Sequence, residues 1–124
     1  NLVFKRFKMK YIDSEQRPWG KFYVIHDEPN YKLKRIEVEP GFRLSYQYHK
    51  YRSEAWTVVY GSGLVTIDSK DQKIKTGDTI IIPLGVKHRI KNISKNKLVF
   101  IEVQTGSYFG EDDIIRIDDD YNRN

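Results

Sequence analysis

Residues 77–92 read GDTIIIPLGVKHRIKN, and the breaks in that stretch decide the fold class. Gly77-Asp78 is a turn signal, and 79–82 is a β-branched run too short for a helix. Pro83-Leu84-Gly85 interrupts again before a second short run at 88–92. The same rhythm extends in both directions. Runs rich in Val, Ile, Tyr, Phe and Thr recur at 21–26, 31–38, 43–49, 54–60, 64–68 and 97–104, separated by Gly, Pro, Asn or Asp. Many short strands at that spacing predict an all-β sandwich or barrel. Gly61-Ser62-Gly63, between two such runs, reads as a hairpin connection.

Upstream, residues 41–54 read GFRLSYQYHKYRSE. Leu44, Tyr46 and Tyr48 share one parity, and Ser45, Gln47 and His49 the other, so one face of this strand is apolar and the other polar. Either Gln47 and His49 face water, or they face a cavity and the apolar trio needs cover from outside. In the next run Glu54 shares parity with Trp56, Val58 and Tyr60, which turns it inward. A carboxylate in an apolar interior is costly unless paired or ligating, and this favours the cavity.

With 124 residues the chain has the size of one ordinary domain. Cysteine is absent, which excludes disulfides and thiolate metal sites. No apolar run approaches the ~20 residues of a membrane span, and no signal-peptide core is present, so a cytoplasmic, membrane-free setting is expected. The formal charge of +5 is uneven. Residues 1–10 carry four positive charges and no negative ones, whereas 111–124 carry six acidic and two basic side chains. The sequence therefore divides into a basic arm (1–16), a barrel (17–110) and an acidic tail (111–124). Ile114, Ile115, Ile117 and Tyr121 make that tail apolar enough to dock on the barrel. A basic body suits phosphorylated metabolites or nucleic acid. Nucleic acid is set aside because no basic cluster interleaved with aromatics offers a stacking platform.

The two glycine-anchored segments, Gly41 to Glu54 closing at Gly61 and Gly77 to Asn92, together resemble the paired motifs of the cupin superfamily. The second motif is matched at every fixed position. The first has Gln47 and His49 where two histidines are usual. The resemblance implies a double-stranded β-helix, or jelly-roll barrel. It narrows on Arg17-Pro18-Trp19-Gly20, Lys34-Arg35, Arg52 with Glu54 and Trp56, Glu102-Val103-Gln104, and Gly110 to Asp113. These are similar to the isomerase domain of type II mannose-6-phosphate isomerases, often fused behind a mannose-1-phosphate guanylyltransferase. No glycine-rich nucleotide-binding segment precedes the match, so guanylyl transfer is not expected of these residues. Ala55, Lys50-Tyr51 and Asn122 depart from the family pattern.

The resemblance implies interconversion of mannose 6-phosphate and fructose 6-phosphate through an enediol, feeding surface-polysaccharide or nucleotide-sugar synthesis. Gln47, His49, Glu54 and His88 are the metal ligands it implies. Their N/O donor set suits a divalent ion such as Zn, Mn, Co, Fe or Ni. Arg52, Lys34 and Glu54 are the catalytic candidates. Lys34, Arg52, Arg89, Arg116 and Arg123 are candidate contacts to the phosphorylated sugar, because phosphate needs cations and Arg fits it best. Strict alternation sends Arg89 opposite to His88. The base is left unassigned, Trp19 and Trp56 read as core, and His26 as a surface residue. A homodimer covering Leu44, Tyr46 and Tyr48 is expected, unless the arm 1–10 covers them. Two other readings stay open: a cupin isomerase or epimerase acting on a nucleotide-linked sugar, and a non-catalytic, metal-stabilised sugar-binding module.

Overall fold

The computed structural model describes residues 8–123, and among them every regular element is a strand. Eleven strands form two antiparallel sheets. The first contains β1 (Asp13–Arg17), β2 (Gly20–Asp27), β3 (Lys32–Val38), β10 (Leu98–Gly106), β5 (Arg52–Tyr60) and β8 (Thr79–Ile82), in that spatial order. The second contains β11 (Ile115–Asp118), β4 (Tyr46–Tyr48), β9 (His88–Asn92), β6 (Ser62–Ile67) and β7 (Lys70–Lys75). This all-β, two-sheet architecture is the one expected.

Three strands escaped the sequence reading: β1 and β7, which are almost wholly polar, and the short β11. In β7 only Ile74 is buried, and its lysines face solvent along the edge of the sheet, as edge strands require. The strand β1 begins inside the stretch assigned to the basic arm and pairs with β2 from Asp13 onward. Within the acidic tail, β11 pairs with β4. Residues 1–7 of the arm lie outside the described residues.

One turn is corrected. The segment at Gly61 is no hairpin: β5 and β6 lie in different sheets, and the chain crosses between them there. Gly61 has φ +91°, and a Cβ would meet the Lys97 carbonyl oxygen at 2.9 Å, so only glycine fits without strain. The hairpin comes one strand later. Asp68 (φ 50°) and Ser69 (φ 68°) connect β6 to β7 with Ile67 opposite Lys70, the left-handed pair of a two-residue turn.

Inward-facing residues grade from apolar to polar along β3, β10 and β5, and this gradient makes the site. At one end Phe22, Ile36, Phe100 and Val58 lie in register across β2, β3, β10 and β5, all buried. Two residues along, the row reads Val24, Lys34, Glu102, Trp56 and Ile80. The next contains Lys32, Gln104, Glu54 and Ile82. A period of two thus carries these three strands from the hydrophobic core into a polar chamber, while β8 stays apolar with Ile80 and Ile82.

Leu44 also departs from expectation. Only residues 46–48 of its run are regular strand, and Leu44 turns into the core at 9% exposure. Tyr46 and Tyr48 are half-buried on the outer face, and the Tyr46 hydroxyl accepts the Ser69 N–H at 3.0 Å. The outward apolar trio that motivated a dimer is therefore not present.

Candidate functional site

Both sheets contribute to one cavity of about 60 Å³. The second sheet supplies Gln47 and His88, directly paired across β4 and β9, and His49 just beyond β4. The first supplies Glu54 and Arg52 from β5. Ligand atoms of His49, Glu54 and His88 all lie within 4.8 Å of one another, and all three residues are buried. His49 Nε2 is 3.2 Å from Glu54 Oε2, and His88 Nε2 is 3.8 Å from Glu54 Oε1.

The imidazoles are held in a ligating orientation. His49 Nδ1 lies 2.7 Å from the Asp113 carbonyl oxygen, and His88 Nδ1 lies 2.9 Å from that of Val86. A carbonyl only accepts, so each Nδ1 carries the proton and each Nε2 lone pair is left toward the cluster. Burial lowers the His88 pKa to about 4, opposed by the Glu54 charge, and keeps the ring neutral as a ligand must be. For Glu54, burial works against ionisation. The hydrogen-bonding and cationic groups packed against it, Arg52 at 2.8 Å among them, outweigh burial, so the carboxyl stays well below its ordinary range. Two neutral imidazoles and a carboxylate fit a divalent metal ion, and these three residues can hold one.

Gln47 lines the same cavity, with its Nε2 donating to Ser45 Oγ at 3.1 Å. Arg52 is buried and donates from Nε to Glu54 Oε2 at 2.8 Å. Lys34, Arg116 and Arg123 also line the wall. Arg123 is engaged by Asp119, at 2.9 Å from both Nε and Nη2, whereas the buried Arg116 Nε has no partner among the described residues. Arg89 alone among the candidate contacts is not brought to this cavity. It faces the other side of β9 and donates from Nε to the Leu44 carbonyl (2.8 Å) and from Nη1 to Asp118 (3.1 Å), pinning the tail. His26 is exposed beside the Tyr31 hydroxyl.

Sequence reasoning missed Glu102, Arg17, Glu111 and Asp113. Glu102 lines the cavity, accepts from Trp56 Nε1 at 3.1 Å, and takes a second bond from Gln104 Nε2 at 2.7 Å. Trp56 Nε1 also donates to Glu54 Oε1 at 3.0 Å, so one indole N–H bridges two buried carboxylates. Burial and the neighbouring Glu54 charge raise the Glu102 pKa. The signal was available, since Glu102 shares parity with Phe100 just as Glu54 does with Trp56. Glu111 and Asp113 sit in a turn, where no periodicity marks them.

Residues 5–119 match the family model described as Mannose-6-phosphate isomerase C-terminal. The chain belongs to this family. Among its relatives, the xanthan biosynthesis protein XanB of Xanthomonas campestris is 47% identical over 107 residues. A mannose-1-phosphate guanylyltransferase of Salmonella montevideo is 44% identical over 108. These alignments cover 86% and 87% of the chain but only 23% of either relative, so the chain spans about a quarter of their length. Solved structures agree on the fold. The capsular polysaccharide assembling protein CapF of Staphylococcus aureus superposes with a TM-score of 0.75 at 18% identity, over 89% of this chain and 33% of that one. The Schizosaccharomyces pombe Cnp3 cupin domain gives 0.66 at 18%, covering 77% and 69%. A double-stranded β-helix domain protein of Klebsiella pneumoniae gives 0.66 at 20%, covering 71% and 77%.

Proposed function

We propose that the domain catalyses metal-dependent interconversion of mannose 6-phosphate and fructose 6-phosphate. The observation that carries this reading is the meeting of His49, Glu54 and His88 in a cavity whose wall includes Arg17, Lys34, Arg52, Arg116 and Arg123. His49, Glu54 and His88, with the Gln47 amide oxygen as a fourth donor, would hold a divalent ion, whose chemistry would be to polarise the sugar carbonyl. The cations seat the phosphate, and Arg52 stabilises negative charge developing on the enediolate oxygen. The reaction moves one proton from C2 to C1 and one from the O2 hydroxyl to O1 through the enediol, so substrate and product have the same atoms. Of the three cavity carboxylates, Glu54 serves the ligand cluster and Glu111 stands part-exposed on the turn at the rim. Glu102 is left to move the proton, and it faces Lys34 across β3 and β10.

The family supports this reading, as do relatives whose names place them in mannose-phosphate and polysaccharide chemistry. A cytoplasmic setting belongs to the same proposal. The test is formation of fructose 6-phosphate from mannose 6-phosphate in a coupled assay, with and without added divalent metal. Turnover that requires metal is the expected result. Absence of turnover with metal demonstrably bound refutes it, and leaves a binding module or another sugar substrate.

A further inference from the structure

On the cavity wall, one carboxylate of the chain itself sits among cations where an incoming anion would lodge. Glu111 stands on the turn between β10 and β11, where the Asp113 N–H bonds the Gly110 carbonyl at 3.1 Å. Its carboxylate lies 2.5 Å from Lys34 Nζ, 3.5 Å from Lys32 Nζ and 3.8 Å from Arg17 Nη2. These are its partners among the described residues.

Cations and anion differ in how they are held. The lysine side chains are 4% and 10% exposed and are fixed by the register of β3, whereas that of Glu111 is 30% exposed and belongs to a turn. The turn is fastened on both sides without help from Glu111. Ser107 N–H bonds the Tyr51 carbonyl, and the Asp113 carboxylate accepts from Lys50 and Tyr51 N–H. Rotation of the Glu111 side chain can therefore open the rim while the tail stays docked.

Among the described residues, Glu111 is the one carboxylate within ion-pair distance of all three cations; Arg17 also meets Glu15 at 3.3 Å, and Lys34 stands opposite Glu102 across β3 and β10. A phosphate monoester near neutrality brings up to two negative charges and three acceptor oxygens. We infer that Lys32, Lys34 and Arg17 form a seat for a phosphate monoester dianion, and that Glu111 is the chain's own anion occupying that seat until such a group displaces it. The inference rests on the phosphosugar reading, and adds to it a source of specificity. An unphosphorylated sugar offers nothing to exchange for Glu111 and leaves the rim closed.

The test is calorimetric titration of the full chain with inorganic phosphate, without sugar or metal, at low ionic strength and neutral pH. Glu111→Gln is expected to bind phosphate about tenfold more tightly than the parent, through three released cations. Adding Lys32→Ala to that variant is expected to remove most of the gain. Glu111→Ala gives the same comparison should the glutamine disturb the turn, with thermal unfolding reporting the fold of each. Equal or weaker binding by the Glu111 variants, no detectable binding by any of them, or a gain that survives Lys32→Ala overturns the inference. Because binding is read without turnover, an inactive protein that tightens on phosphate refutes only the isomerase reading. An active one that does not tighten refutes only the seat.

Discussion

Replacement of Asp113 by alanine tests whether the acidic tail shapes the metal centre or merely covers it. Asp113 is buried at 6% exposure, and its carboxylate accepts the N–H of Lys50 at 2.9 Å and of Tyr51 at 3.0 Å. Those residues directly follow His49, whose Nδ1 is held by the Asp113 carbonyl. Side chain and main chain of one residue thus grip both the ligand and the loop after it. Hydrogen bonds to a charged group contribute about 1.5–3 kcal/mol each, and bonds sharing one acceptor group add less than fully, so Asp113→Ala is expected to cost about 3 kcal/mol. With slopes of roughly 1–3 kcal/mol per molar urea, the midpoint falls by about 1–3 M. The alanine variant keeps the carbonyl but loses what fixes its position. Loss of an outer partner of a ligating histidine weakens metal binding about 10–100-fold, and the lower part of that range is expected here. Urea unfolding in the presence of chelator gives the first quantity, and zinc competition against a chromophoric chelator gives the second. Asp113→Asn, which keeps one acceptor, should fall between. A folded Asp113→Ala protein that binds zinc within about twofold of the parent refutes the coupling between tail and ligand.

Three further outcomes are expected. His49→Ala and His88→Ala should each abolish stoichiometric metal binding, measured by elemental analysis after dialysis, while circular dichroism keeps its β signature; metal retained at full stoichiometry would refute the site. Trp56→Phe removes the N–H shared by Glu54 and Glu102 and should destabilise the fold by about 2–3 kcal/mol, read by urea unfolding followed by circular dichroism. A cost under about 1 kcal/mol would mean that the bridge matters little. The hydrogen bond from Arg123 lowers the Asp119 pKa to about 2 from an ordinary 3.8. A lowered carboxyl stabilises the fold above its unfolded value and loses that contribution as pH falls through the folded one. Asp119→Asn should therefore lower the melting temperature at neutral pH, and the difference should close between about pH 4 and pH 2. A difference independent of pH would show that charge is not what Asp119 contributes.

Legibility followed periodicity. Where a strand buries one face, parity placed the side chains. Glu54 inward with Trp56, Gln47 with His49, and Arg89 opposite to His88 were all readable, because a period of two admits only two faces. Glu102 and Lys32 carried the same signal beside Phe100 and Lys34. Parity failed at Leu44, where the run it belongs to is irregular for half its length, so alternation no longer maps onto faces. Polar edge strands were invisible because the hydrogen-bond ladder, not burial, holds β1 and β7 in place. Glu111 and Asp113 act through a turn brought home by the pairing of β11 with β4, a contact between segments more than sixty residues apart. No local pattern encodes such a contact.

The position of Trp56 has a practical consequence. Its indole packs edge-on against His88 with centroids 5.5 Å apart, and the only other tryptophan, Trp19, lines the same cavity. All indole emission from this protein therefore originates around the ligand cluster. Any charged or polar species that enters would alter the surroundings of those rings. The unlabelled protein is thus an optical reporter on the occupancy of its own chamber.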